Sequence, residues 1–268
     1  MIERLGWNVK KCHIYLIGFV PKLDLIGARQ EGTSLFVEFQ VNGKHLNVKF
    51  PLPDGVSLYF EDELWYLSNG DGNRYGPTDE QLMQGLYDQH GKNDFTVVYI
   101  GQSYGKKGSR HALDRLRKHE TLQKIALKGA PDGHQIEVVL LEVEPANRVI
   151  TVFNPFAQDK SKGDQRIRDG IDKLFGTNEN ERITLYEASL IRYFQPKFNK
   201  EFKDSFPSTN MKVLADCYER DFSAIIVEIC FDKFPYYLVS DQIASKDNHL
   251  VRHDLHTDAN RKAFFSGK

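Results

Sequence analysis

Residues 95–119, FTVVYIGQSYGKKGSRHALDRLRKH, constrain the fold more than any other stretch. The apolar run 95–100 has the length and make-up of a strand, and Gly101 opens a loop carrying Gly105, Lys106, Lys107 and Gly108. Ser109 can cap a helix of about 110–128, which Gly129-Ala130-Pro131 closes. Arg115 and His119 stand four apart in that helix, so they share a face. A strand that ends in glycine and passes through a basic loop into a helix can hold Tyr99, Arg115 and His119 against one phosphate. Taken singly, Tyr99 has the plainer reading of a packed strand residue, and Arg115 with His119 that of a solvated helix face.

Upstream, residues 1–70 read mainly as strands. HIYLIGFV is followed by LFVEFQVNGKHLNVKF, where Leu35, Val37, Phe39 and Val41 alternate with mostly polar neighbours. Leu46, Val48 and Phe50 repeat the pattern beyond Asn42-Gly43, a pair that supplies the positive φ angles of a type I′ hairpin turn. VSLYF and ELWYLS continue in the same manner, with no catalytic cluster, so this module has a support or recognition role. SNGDGNRYGP is a linker. After it Thr78, with Gln81 completing a capping box, starts a helix that Gly91 stops.

Downstream, QIEVVLLEVE at 135–144 is a second buried strand and RVITVF a candidate third; AQDKSKGD is a surface loop. DQRIRDGIDKLFG is an amphipathic helix with Ile167, Ile171, Leu174 and Phe175 on one stripe. The next helix, within 181–199, is stopped at Pro196. Its apolar stripe is Ile183, Leu190, Ile191 and Phe194, and the position completing it is Glu187, a carboxylate that is costly to bury unless paired or metal-bound. After residue 205 come the strands FSAIIVEICF and YYLVSD, joined by a tight turn at 232–235. If they pair with the N-terminal sheet, residues 1–77 and 206–268 form one discontinuous unit. The polar end of the chain carries no clear signal.

Apolar residues are 40% and charged residues 27% of the 268, as in ordinary globular proteins. No apolar run approaches the roughly 18 residues of a membrane span, and IYLIGFV lacks a cleavage pattern, so a cytoplasmic protein with no membrane partner is expected. Cys12, Cys217 and Cys230 form no CxxC pair, which argues against a disulfide framework or a zinc site. The net charge of −1 divides unevenly: residues 1–94 hold 9 basic and 13 acidic side chains (−4), residues 95–205 hold 19 and 15 (+4), and residues 206–268 hold 8 and 9 (−1). The excess positive charge sits around the opening stretch. Within 102–128 eight basic residues face only Asp114 and Glu120, a density that suits a phosphate backbone.

Tyr99-Ile100-Gly101, the Arg115-x-x-x-His119 helix, Glu187 in a later helix and Asn199 in the run LIRYFQPKFN resemble, in that order, the GIY-YIG nuclease family over about residues 95–200. The family's first motif, Gly-Ile-Tyr on a strand, has two candidates. Gly85-Leu86-Tyr87 has suitable spacing in a helical setting; His13-Ile14-Tyr15-Leu16-Ile17 has better strand character but requires a large insertion before Tyr99.

The resemblance implies an α+β fold, a small central antiparallel sheet flanked by helices, with an additional β-rich module from the N-terminal and C-terminal segments. The expected units are an N-terminal β-rich module at 1–77, a nuclease domain at 78–205 and a C-terminal strand segment at 206–268. It also implies a DNA endonuclease, acting on double-stranded in preference to single-stranded DNA, that leaves 3′-hydroxyl and 5′-phosphate ends. Glu187, a hard oxygen ligand, would bind Mg²⁺ or Mn²⁺. Arg115 would neutralise phosphate oxygens, Tyr99 would position or deprotonate water, His119 would accept its proton or hold the tyrosine, and Asn199 would steady the end of the metal-site helix. A restriction or defence role is expected first, a mobile-element or repair role next. The rivals are a nucleic-acid-binding module that does not cut and a purely structural interaction protein.

Overall fold

The computed structural model describes residues 11–103, 120–144, 163–208, 210–219 and 222–255. The fold is built around strand β1 (Cys12–Pro21), whose side chains are buried almost without interruption. A strand with water on neither face reads as a continuous apolar run, and Ile14-Tyr15-Leu16-Ile17 is that run. β1 lies between β7 (Asn93–Gln102) and β8 (His134–Glu142), antiparallel to both, and β10 (Tyr236–Val239) adds to the far edge of β7 in parallel. The protein is α+β, with several small sheets and five helices among the described residues.

Between β1 and β7 the chain makes a long excursion. Strands β2 (Leu23–Glu31), β3 (Ser34–Val41) and β4 (Lys44–Pro51) form an antiparallel sheet, and β5 (Ser57–Glu61) pairs with β6 (Leu64–Ser68) as a separate hairpin. Asn42 and Gly43 both have positive φ, 48° and 76°, the expected two-residue turn between β3 and β4. Helix α1 (Asp79–His90) begins with the Thr78–Gln81 capping box and ends at Gly91, φ 87°. Leu82 and Leu86 pack it against Val37, Val48 and their neighbours. Gln89 fixes its last turn by bonding both backbone groups of Lys49, at 2.9 and 3.0 Å.

β1, within the expected N-terminal unit, lies in the central sheet, and α1, within the expected nuclease unit, packs on the sheet of β2–β4. In the tail β9 (Ala224–Cys230) pairs with β11 (Asn248–Asp254) and β10 joins β7, and among the described residues no tail strand pairs with β2–β6.

Helices cover both faces of the central sheet. On one face α4 (Glu179–Phe194) sets Ile183, Leu190, Ile191 and Phe194 against Ile14, Leu16 and Ile100. On the other, α2 (Glu120–Lys128) sets Leu122 and Ile125 against Tyr15, Ile17 and Val98. α4 is capped by Asn178 and Glu181 in a second capping box, and its outer side carries the two-stranded β9–β11 sheet and α5 (Lys212–Glu219). In α3 (Gly163–Gly176) the stripe read from the sequence is present, but Ile167, Ile171 and Phe175 are exposed. Residues 104–119 and 145–162, which include most of the expected 110–128 helix and the candidate strand RVITVF, lie outside the described residues.

Candidate active site

β1 and β7 align in a register that sets Tyr15 opposite Gly101 and Ile17 opposite Tyr99. Directly opposed residues share a face, so Tyr15 and Tyr99 point to the same side of the sheet. Their rings stack with centroids 6.2 Å apart and planes 29° from parallel. Only glycine fits at position 101. A Cβ there would lie 2.5 Å from Cζ and Oη of Tyr15 and 2.9 Å from the Tyr99 ring. The glycine of the Tyr-Ile-Gly run is therefore the floor on which the Tyr15 ring rests. Tyr15 is fully buried and Tyr99 half-buried, so Tyr99 is the more accessible of the two phenols.

Beyond residue 96, β10 no longer covers the edge of β7, and the turn after α4 takes its place. Gln195 ends α4 in the left-handed conformation, φ 50°, which turns the chain back at Pro196. The Phe198 amide then donates to the Val98 carbonyl at 3.0 Å. The Asn199 side chain completes the edge: Nδ2 donates to the Ile100 carbonyl at 2.8 Å, and Oδ1 accepts from the Ile100 amide at 2.9 Å. Its amide thus pairs with the backbone as a neighbouring strand would. Asn199 is held by the tyrosine strand, whereas the sequence reading gave it to the helix end. We expect Asn199→Ala to leave both Ile100 groups without their partner and to destabilise the protein by about 1–3 kcal/mol in urea unfolding. Asn199→Gln, which keeps the amide on a longer arm, should recover little of that loss.

Glu187 stands on α4 one turn from both Ile183 and Ile191, on the helix side that packs on the sheet. It is half-buried, and the sheet face it meets is opposite to the one carrying the tyrosines. The structure thus brings Tyr15, Tyr99 and Asn199 to one segment of β7 and sets Glu187 across the sheet from the tyrosine pair. Arg115 and His119 lie outside the described residues. α2, whose first residue directly follows His119 in the chain, packs on the tyrosine face. The other first-motif candidate, Tyr87, lies on α1, with the Lys92 ammonium 5.3 Å from its ring centroid.

Compared with protein-family models, with curated proteins and with solved structures, the chain finds no match in any of the three.

Among the described residues no three His, Cys, Asp or Glu side chains group as a metal site, and no helix is long and apolar enough to cross a membrane. A single carboxylate such as Glu187 fits Mg²⁺ or Mn²⁺, ions that keep several waters and take further oxygens from a phosphate. It does not fit zinc, which takes three or four protein ligands.

Sequence reasoning missed the histidines behind α4. His249 and His253, four apart on β11, are both buried. The Ser189 hydroxyl and His253 Nε2 are 2.8 Å apart, and the Tyr193 hydroxyl and His249 Nδ1 3.1 Å. Nε2 of His249 lies 3.1 Å from the Lys246 carbonyl, so it carries the proton and Nδ1 accepts from Tyr193. Burial lowers the pKa of both rings, with the positive charge of Lys246 adding to the shift at His249 and that of Arg192 at His253. These neutral rings brace the helix that carries Glu187. The available signal was the polar alternation of NHLVRHD, which hides a strand whose inward residues are His, Val and His.

Proposed function

We propose that the chain is a GIY-YIG-type nuclease that hydrolyses phosphodiester bonds in DNA, with His13-Ile14-Tyr15 as its first motif and residues 22–92 inserted between the two tyrosine strands. One observation carries the reading: Tyr15 and Tyr99 stack on adjacent antiparallel strands, with the motif's glycine beneath the Tyr15 ring. Of the two first-motif candidates Tyr15 is the one on a strand beside Tyr99, whereas Tyr87 is on a helix of the module.

In this reading Tyr99 orients the attacking water and Tyr15, buried beneath it, fixes the ring of Tyr99. A phenol ordinarily ionises near pH 10, so Tyr99 orients water as a hydrogen-bond partner unless His119 accepts its proton. Arg115 binds the phosphate oxygens through its planar fork. Glu187 would hold Mg²⁺ or Mn²⁺, which when bound would neutralise developing charge and lower the pKa of water. Since the sheet separates Glu187 from the tyrosines, a phosphate reached by both lies past Gly101, at the end of β7. Asn199 keeps that end from fraying.

The test is cleavage of plasmid and of single-stranded DNA, with and without Mg²⁺ or Mn²⁺. Cutting should require the metal, vanish in Glu187→Ala, Arg115→Ala and Tyr99→Phe, weaken in Tyr15→Phe and persist in Tyr87→Phe. Cutting indifferent to Glu187→Ala and Arg115→Ala would defeat the site assignment. The full burial of Tyr15 favours a second reading, a nucleic-acid-binding module in which the tyrosine pair is core packing. DNA binding without metal-dependent cutting is its signature.

A further inference from the structure

A polar cleft of about 700 Å³ opens where α4 ends, lined by Arg192, Gln195, Lys197, Lys203, Asp241 and Gln242. Three cations face one carboxylate there, and the two glutamines add neutral hydrogen-bonding groups. An apolar ligand would gain little from such walls, whereas a phosphate group would find charge and donors on several sides.

The cleft is built rather than casual. The Gln195 side-chain amide donates to the carbonyls of Arg192 and Lys203, at 2.8 and 2.7 Å, and the Arg192 guanidinium donates to the Lys203 carbonyl as well. These bonds fold residues 195–203 back against the helix end. Arg192 also reaches the Asp204 carboxylate at 3.3 Å, an exposed partner that solvent screens.

Its position gives the cleft a use. Lys197 directly precedes Phe198, whose amide bonds the Val98 carbonyl, and Val98 directly precedes Tyr99. The basic wall and the tyrosine strand thus share one hydrogen-bonded turn. Lys128, with Nζ 5.2 Å from the Phe198 ring centroid, carries positive charge to the other side of the same turn.

From this arrangement we infer that the cleft seats a backbone phosphate of the nucleic acid beside the one at Tyr99, so that Arg192, Lys197 and Lys203 set the path of the strand past the tyrosine pair. The inference rests on the nuclease reading for the identity of the polymer but not for cutting. Its test is equilibrium binding of a short fluorescent duplex and of single-stranded DNA and RNA, without metal, between about 50 and 200 mM salt. The proteins are the full chain, Lys197→Gln/Lys203→Gln, Glu187→Gln, and Lys22→Gln/Lys44→Gln as a charge-matched pair far from the cleft in sequence. Melting curves confirm that each is folded.

The cleft pair should weaken binding about tenfold or more and flatten the slope of log K against log salt by about 2, two phosphate contacts' worth. The control pair should stay near the wild type in affinity. Equal affinity and slope in the cleft pair and the wild type would overturn the inference. So would failure of the wild type to bind any of the three polymers, or isothermal titration showing that inorganic phosphate binds this cleft while polymer binding ignores the cleft pair. If the cleft pair behaves as expected but the wild type does not cut with Mg²⁺ or Mn²⁺, the cleft stands and the nuclease reading falls.

Discussion

Gly18→Ala should destabilise the protein by about 3 kcal/mol and lower its melting temperature by roughly 6–12 °C. Gly18 interrupts the apolar run of β1 at the point where the ring of Phe95 lies across the strand. A Cβ there would stand 2.2–2.6 Å from three atoms of that ring, well inside contact distance. Phe95 has no room to retreat, since it is fully buried between β1, α4 and the ring of Tyr236, whose centroid is 6.0 Å away. The register between β1 and β7 shifts at this place, from Ile17 opposite Tyr99 to Gly18 opposite Val97. The bulge and the glycine thus act together. The bulge sends Phe95 to the α4 side while Tyr99 stays on the α2 side, and the glycine makes room for the ring. Thermal and urea unfolding of Gly18→Ala, of Phe95→Leu and of the double variant measure this directly. The double variant should lose less than the sum of the two single changes, because the smaller side chain vacates the volume that the new Cβ needs. An unchanged melting temperature in Gly18→Ala would mean that the β1 backbone, rather than the ring, yields.

The same glycine shows how far the sequence carries and where it stops. Local chemistry was legible: Thr78 with Gln81, Asn42 with Gly43, and the end of α4 before Pro196 each act through neighbours a few residues away, and each is where its residues put it. Long-range pairing was not. Nothing local in HIYLIGFV says that β1 skips five strands and a helix to lie beside β7, because what selects that partner is the fit of Tyr15 on Gly101 and of Phe95 on Gly18. That fit exists only once the two strands are together. The β5–β6 turn was hidden for another reason: Asp62 and Glu63 both adopt positive φ, 51° and 61°, without the glycine or asparagine that signals such a turn. β11 was hidden because the polar end of the chain carries no strand signal. Its buried positions are His249, Val251 and His253, while Leu250 faces out, so the alternation runs against hydrophobicity and is set by the hydroxyls of Ser189 and Tyr193. For the candidate site, Tyr99, Glu187 and Asn199 were visible as residue types in order. The partner of Tyr99 and the backbone clamp made by Asn199 required the sheet.

Acidification should loosen the support behind α4. His249 and His253 have pKa values lowered by burial, so the folded protein resists protonating them. The unfolded chain, with its histidines near pH 6.5, does not. Their contribution is therefore complete above about pH 6.5 and is lost as pH falls from there toward the lower folded-state values. Once both rings are protonated only in the unfolded chain, stability falls by as much as about 2.7 kcal/mol per pH unit, the limit for two protons. Protonation of His249 also puts a hydrogen on the Nδ1 that accepts from Tyr193, so the helix loses a contact as the ring gains charge. Glu137 acts in the opposite sense, since burial raises its pKa and its uptake of a proton favours the folded state. Comparing two proteins that share Glu137 cancels it. Urea unfolding of the wild type and of His249→Gln/His253→Gln between pH 7.5 and 5 should give curves that converge on the acid side, because the glutamines keep a hydrogen-bonding group at each position and bind no proton. Curves that stay parallel would show that the rings titrate alike in both states, and β11 would then hold α4 by packing alone. Convergence would make the β9–β11 sheet an acid-sensitive brace, and because α4 carries Glu187 on its sheet side and Ser189 and Tyr193 toward the histidines, any chemistry at Glu187 should decline over the same interval.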